Sequence, residues 1–534
     1  MRKRRSVVQV LIGLLLVAAL VLIPMASCKA PEEAPPVAPP VAPPEEVAPP
    51  EEVAPPEEVV PPGEVAPPVV ELAPFTGLAD IPEIENREPI HLGMHAGGGG
   101  ELQVPYVDKF SEHTGLTISY ELLSHAVQYP KFNTALIAGT GAYDVLYVES
   151  AFTCEWGPYL WSMEELAELY DPRGAAGLAK ELEETQHATM MRCSSNREGK
   201  LMGLPYYTYQ QGIFVRQDAL DDPIEKAAFE GRYGYELGVP TTYDQVHDIG
   251  EFFTRKKGEL FKGEPLEWDL FGLTLMAGRL EINDEIATMV WGRGADFVTL
   301  IRDEAGNAVE FVITKKDKEV LTWALETYKT LVPFISPACH TGWWDVCAAQ
   351  MAEGYAIMTP CMYVALDQWC FQVEDNIPGA KFKEYPCING TGYVGNFYYA
   401  VPKASGNPEA AYWMLRHICS DENQRAMAEE VGFSVARADI YRDPKYQAPE
   451  WERLVAERGN VVIETWDNYL TPEVVHNFFW FNSSAGGKIY EVQRMPMHEA
   501  VLGIRSVENA VKEIVAETIS LQTKFGSLPI REEF

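Results

Sequence analysis

The chain has 534 residues, with 78 acidic against 43 basic side chains and a formal net charge of −35. So acidic a chain excludes nucleic acid and anionic lipid head groups as partners, because both are held mainly through basic patches. Discounting the basic N-terminus and an acidic segment behind it, the remaining body still carries about thirty net negative charges.

Arg2, Lys3, Arg4 and Arg5 form a basic start, residues 7–23 are almost all apolar, and Met25-Ala26-Ser27-Cys28 follows. A basic region, a short apolar run and small residues mark an export signal. The apolar run, about 17 residues, is near the lower limit for spanning a bilayer. A cysteine at the cleavage point resembles a bacterial lipobox, which makes Cys28 the lipidation site; an ordinary signal peptide or an uncleaved anchor helix is the alternative. From Lys29 the chain repeats Ala-Pro-Pro-Glu-Glu-Val at residues 42–47, 48–53 and 54–59. Proline removes an amide donor and fixes φ, so this stretch forms neither helix nor sheet. Paired prolines favour polyproline II, and 40 residues would reach roughly 120 Å. Residues 29–80 are therefore expected to be a disordered Pro/Glu-rich linker behind a signal peptide at 1–28. No second long apolar run is present, so the membrane is touched through the N-terminal lipid only.

The body of about 450 residues is large enough for two domains. Ile90-His91-Leu92-Gly93-Met94 reads as a strand, and a glycine run at 97–100 precedes a helix through Val107 and Phe110 that ends near Gly115. Residues 116–122 read as a strand, 129–138 as a helix and 142–148 as a strand. Strands separated by helices predict an α/β fold with parallel sheets, whose ligands bind beyond the carboxyl ends of the strands. The glycine run lacks the Gly-Lys-Ser/Thr of a phosphate loop, so a turn that brings backbone close to a ligand is expected there. Pro240-Thr241-Thr242 with Asp244, and Asn407-Pro408-Glu409, supply caps for helix starts.

Further motifs follow in order: Phe110-x-x-x-Thr114-Gly115-Leu116-Thr117-Ile118, Ala138-Gly139-Thr140-Gly141-Ala142-Tyr143-Asp144-Val145, Gly203-Leu204-Pro205-Tyr206, Gly212-Ile213-Phe214-Val215-Arg216, Met351-Ala352-Glu353-Gly354-Tyr355-Ala356, Asn407-Pro408-Glu409-Ala410-Ala411-Tyr412-Trp413 and Ala500-Val501-Leu502-Gly503. The series resembles the extracellular solute-binding proteins of ABC importers, in the sugar-carrying group, over roughly residues 89–525. The resemblance implies a two-lobed periplasmic-binding-protein-like fold of type II, each lobe a mostly parallel sheet flanked by helices, with a hinge that closes on ligand. Lobe one is expected at 87–210, with part of the C-terminal region returning to it, and lobe two mainly at 211–525. The chain departs from the family at Gly432-Phe433-Ser434-Val435-Ala436-Arg437, where Val replaces a frequent Pro, and in the Cys- and Trp-rich segment 339–387.

A sugar presents apolar C–H faces and hydroxyl edges, which call for aromatic plates and for acids or amides. The candidates for ligand binding are His95, Glu149 and Trp156 in lobe one; Tyr206 and Tyr207 near the crossing; and Trp291, Trp343, Trp344, Asp345, Tyr363, Asn396 and Phe397 in lobe two. Tyr159, Gln211 and Trp369 belong to the same wider set. Setting aside Cys28, Cys154, Cys193, Cys339, Cys347, Cys361, Cys370, Cys387 and Cys419 remain. An even count in an exported chain suggests disulfides, with Cys339–Cys347, Cys361–Cys370 and Cys154–Cys193 as first pairings. The spacings are not metal-like, and no catalytic motif is present. No cofactor, no metal and no catalytic residue are expected.

The leading expectation is thus a monomeric receptor, lipid-anchored on the extracytoplasmic face of the cell membrane, that captures a small solute and hands it to ABC permease subunits. A surface enzyme acting on polysaccharide, and a sensor or adhesive protein for a non-sugar solute, are the alternatives.

Overall fold

The computed structural model describes residues 73–451 and 457–533. The export signal, Cys28 and the repeats to residue 72 lie outside the described residues. The chain packs on the body from Phe75 onward. The ring of Phe75 lies 5.9 Å from Trp413, with the guanidiniums of Arg416 and Arg173 over its face at 4.7 and 5.3 Å.

Fourteen strands are described, numbered in chain order: β1 Ile90–His95, β2 Ile118–Leu123, β3 Val145–Glu149, β4 Leu204–Thr208, β5 Gln211–Arg216, β6 Leu260–Phe261, β7 Glu264–Pro265, β8 Phe271–Leu273, β9 Thr299–Arg302, β10 Ala308–Ile313, β11 Ala356–Tyr363, β12 Phe382–Pro386, β13 Asn396–Ala400 and β14 Ile530–Glu532. The first sheet has the order β2-β1-β3-β13-β4 and the second β12-β5-β11-β8. β1 runs parallel to β2 and β3, while β13 is antiparallel to β3 and β4. In the second sheet β5 is antiparallel to β11 and β12, and β8 is parallel to β11. Each sheet therefore has one reversed strand, and all the others point the same way. β9, β10 and β14 form a small third sheet, and β6 pairs with β7.

Local chemistry explains the elements between the strands. The helix Val104–Thr114 ends at Gly115 in the left-handed region, the C-cap that glycine adopts at least cost. Thr242 accepts from the Gln245 amide at 3.2 Å and starts Tyr243–Phe253. Asn407 accepts from the Ala410 amide at 3.0 Å and starts Pro408–Ile418. Two glycines let helices lie tightly on strands. A Cβ on Gly93 of β1 would meet Phe132 of the helix His125–Ala138 at 2.5 Å, and one on Gly272 of β8 would meet the Gly250 carbonyl of Tyr243–Phe253 at 2.1 Å.

The fold is two-lobed, with one sheet at the centre of each lobe. β4 leads into β5 through residues 209 and 210 alone, and β12 returns to β13 through residues 387–395. These crossings hydrogen-bond to each other: the Tyr209 amide to the Gly395 carbonyl at 3.3 Å, and the Gln211 amide to the Tyr393 carbonyl at 3.0 Å. Thr288 fastens them from the side, accepting from the Tyr393 amide at 2.7 Å and donating to the Gln211 side chain.

The eight cysteines among the described residues are buried and unbridged. Cys339 neighbours Cys347, as the spacing suggests. Cys361 faces Cys387 and not Cys370, because β11 carries it toward the second crossing. The Cys154 thiol donates to the Phe481 carbonyl at 3.0 Å, so no approach to Cys193 is needed to satisfy it.

Candidate functional site

The cleft between the two sheets holds a cavity of about 730 Å³, its open mouth included, within the usual range for small-ligand sites. His95 ends β1, Glu149 ends β3 and Tyr363 ends β11; Tyr207 lies one residue from the end of β4. Strands that point one way deliver their last residues to one edge, and there the two sheets meet. Phe397 enters from the start of the reversed β13.

The acidic groups come from both sides. Glu149 belongs to the first sheet. Glu281 and Asp284 belong to the start of the helix Ile282–Trp291, packed on the second. Asp284 accepts the hydroxyls of Tyr363 and Tyr490, each at 2.6 Å. Glu149 accepts the Tyr393 hydroxyl at 3.2 Å through one oxygen, and its Oε2 has no hydrogen-bond partner among the described residues. His125 Nε2 is 3.9 Å from that oxygen, but the Arg494 guanidinium donates to the same nitrogen at 2.9 Å. Arginine cannot accept, so this nitrogen carries a lone pair and offers Glu149 no proton. The Tyr209 hydroxyl and His95 Nδ1 are likewise buried without a partner.

Burial sets the protonation states. It raises Glu149 and Glu281 to about 8 each, with the Asp284 carboxylate adding to both shifts. It raises Asp284 to about 6, against the pull of the two tyrosine hydroxyls. Burial also lowers His95 to about 4, and with help from Arg494 holds His125 well below its ordinary value. Near neutrality the site therefore offers neutral imidazoles, largely protonated Glu149 and Glu281 that can donate as well as accept, and a mostly ionised Asp284 that accepts. The rings of Tyr207 and Phe397 lie 5.8 Å apart at 4°, and Trp344 stacks on Trp369 at 5.4 Å and 14°. Aromatic plates with bidentate acids between them suit a ligand with apolar faces and hydroxyl edges. Among the described residues no group of three or more His, Cys, Asp and Glu could hold a metal ion.

Of the residues expected from sequence, the cleft brings together His95, Glu149, Tyr207, Trp344, Tyr363 and Phe397, with Trp369 from the wider set. It leaves out Trp156, Tyr206, Trp291, Trp343, Asp345 and Asn396. Strand alternation explains Asn396. Tyr206 sits at a β-bulge of β4 against β13, its ring 6.1 Å from that of Tyr207, and is held fully buried by stacking on Tyr399 at 4.5 Å. Asn396 points away from Phe397 and bonds the Met190 carbonyl at 2.9 Å and the Ser194 hydroxyl at 2.8 Å. Trp156 packs on Phe152 at 4.9 Å in the first lobe. Trp291 stacks on Phe478 at 3.9 Å and donates its indole N–H to Asp296 at 2.9 Å. Trp343 precedes the helix Trp344–Ala352 half-buried, and Asp345 is exposed, capping the Val346 amide at 2.8 Å.

Sequence reasoning did not single out His125, Tyr209, Glu281, Asp284, Phe433 or Tyr490. One signal was available: Glu281, Asp284 and Glu285 stand at the start of a mostly apolar run to Trp291, and every residue of the helix Ile282–Trp291 is buried. Acids on an all-buried helix are rarely accidental.

The family profile described as bacterial extracellular solute-binding protein matches residues 105–452. The chain belongs to this family. It is a binding protein and not an enzyme, and the family places it outside the cytoplasm. The erythritol/L-threitol-binding protein of Mycolicibacterium smegmatis is 24% identical over 261 residues, covering 39% of this chain and 53% of the relative. The chain thus spans about half the length of the curated relative it matches. Two solved ABC-transporter solute-binding proteins share the fold. One, from Agrobacterium radiobacter K84 in complex with ribitol, has a TM-score of 0.63 at 15% identity, covering 82% of this chain and 100% of that one. The other, from Agrobacterium vitis S4 with bound D-mannitol, has a TM-score of 0.56 at 16% identity, covering 82% and 99%.

Proposed function

We propose that the protein captures a neutral polyhydroxy solute, a sugar or sugar alcohol, between its lobes and delivers it to an ABC importer through permease subunits. One observation carries this reading: Glu149 Oε2, the Tyr209 hydroxyl and His95 Nδ1 are buried, unpartnered and gathered at one cavity. A stranded buried polar group costs roughly 1–3 kcal/mol, which hydroxyls of a ligand recover. The polyol names and ligands of the relatives support the same class. Cys28 as a lipid anchor, residues 29–80 as tether, and lobes at 87–210 and 211–525 complete the proposal, with the protein acting as a monomer on the extracytoplasmic face of the membrane. In that oxidising space Cys339–Cys347 and Cys361–Cys387 are the couples placed to bridge.

Titration calorimetry with erythritol, ribitol, D-mannitol and common hexoses tests the ligand class. A micromolar dissociation constant, about −8 kcal/mol, is expected for at least one. Silence across the panel together with binding of peptides or polyamines would overturn it.

A further inference from the structure

Arg458 lies outside the cavity, fully buried at the start of the helix Glu457–Asn468. Its guanidinium grips two segments that each wall the cleft from a different side. Nε donates to Asp367 Oδ2 at 2.7 Å, and Nη2 donates to Asp367 Oδ1. Asp367 opens the short helix Asp367–Cys370 behind β11, which carries Gln368 and Trp369 into the cavity. The other N–H groups turn the opposite way: Nη1 donates to the Phe433 carbonyl at 2.9 Å and Nη2 to the Gly432 carbonyl at 2.9 Å.

Phe433 is the cavity wall of the first sheet. Its ring packs 4.7 Å from Tyr207. The next residues are stitched to β4, with the Thr208 amide donating to the Ser434 carbonyl at 3.0 Å and Val435 bridging Tyr207. Four of the five guanidinium N–H groups are thus used, two on each side. The buried carboxyl of Glu384, on β12, adjoins Asp367 and Arg458, and Tyr441 packs nearby.

We propose that Arg458 is a positioning residue that fixes the spacing between the Trp369 and Phe433 walls, and so favours the closed cleft before any ligand is present. It touches no ligand; it acts through the two aromatic walls. The helix Glu457–Asn468 packs on β12, so the bidentate Asp367 pair lies within the second-sheet side, whereas the bonds to the Phe433 and Gly432 carbonyls cross to the segment stitched to β4. Closure therefore gains two charge-assisted bonds that opening gives up. The inference deepens the reading of the cleft as a ligand site that closes, and its test needs no ligand.

The test compares the full chain with Arg458→Lys, which keeps the charge beside Asp367 but cannot reach both carbonyls through a planar fork. Spin labels are placed through Glu112→Cys and Glu230→Cys, exposed positions on helices of the two lobes. Interlobe distances are measured by pulsed dipolar spectroscopy without ligand. Arg458→Lys is expected to lower the short-distance population relative to the long by about tenfold or more. Superimposable distributions overturn the proposal. Should Arg458→Lys fail to fold, Arg458→Met with Asp367→Leu removes the buried pair together, and the same shift is required. A structural role alone would lower the unfolding midpoint and leave the distance distribution of the folded protein unchanged. The calorimetric panel stays separate: its failure would remove the polyol reading and leave the distance result standing.

Discussion

Glu149→Gln gives the sharpest view of the electrostatics of the cleft. Glu149 rises from an ordinary 4.5 to about 8 on folding, through burial first and the Asp284 charge second. Between those two values the native state holds a proton that the unfolded chain has released. Native binding exceeds unfolded binding there, so stability falls as pH rises, at up to about 1.4 kcal/mol per pH unit for this one group. The contribution is fully present below 4.5 and lost as pH passes 8. Glu281, also raised to about 8, acts in the same direction. His95, lowered to about 4, acts oppositely below its ordinary 6.5, since its unfolded form takes up the proton. The clean window is therefore pH 6.5 to 8. Gln mimics the protonated acid, so Glu149→Gln should remove Glu149's share of the slope and leave the variant more stable than the parent at pH 8. Urea unfolding of ligand-free protein at four pH values across this window measures it. Parallel curves for parent and variant, or a parent whose stability rises across the window, would refute the reasoning.

Asp284→Ala strands the hydroxyls of Tyr363 and Tyr490, and should cost roughly 1–3 kcal/mol for each in urea unfolding; adding Tyr363→Phe and Tyr490→Phe should restore much of it. Trp344→Ala removes a half-exposed plate from the cavity and should weaken polyol binding up to about tenfold by calorimetry, with little change in unfolding midpoint. Gly93→Ala drives a methyl against Phe132 and should destabilise the fold by roughly 1–3 kcal/mol, read by denaturant unfolding. Peptide mapping of unreduced, exported protein should find at most the Cys339–Cys347 and Cys361–Cys387 bridges, with Cys154, Cys193, Cys370 and Cys419 alkylatable after unfolding; a Cys361–Cys370 bridge would contradict the packing of β11.

The strand-and-helix rhythm from Ile90 to Glu149 was legible because each element carries its own punctuation: Gly115 and Gly139 end helices in the left-handed region, and apolar runs mark the strands. The strand-end residues His95 and Glu149 were legible for the same reason. The adjacent pair Asn396-Phe397 was not separable, since alternation says that the two face opposite ways without saying which faces the cleft, and nothing along Tyr206-Tyr207 announced the β-bulge that puts both rings on Phe433. Phe433 and Tyr490 were hidden by distance along the chain; only the fold returns them to β4 and to Asp284. Asp284 itself sat in plain view, an acid in an apolar helix, but its role depends on two tyrosines 79 and 206 residues away.

A polyhydroxy solute between the lobes would take up the unpartnered Glu149, His95 and Tyr209 groups and reach the acids of the facing lobe. A crystal structure with whichever polyol or sugar binds in calorimetry tests it most directly. Ligand hydroxyls are expected within hydrogen-bond distance, about 2.6–3.2 Å, of Glu149 Oε2 and of Asp284 or Glu281 at once, with carbon faces against Tyr207 or Trp344. A ligand that leaves Glu149 Oε2 unpartnered, or that binds outside the cleft, would contradict it.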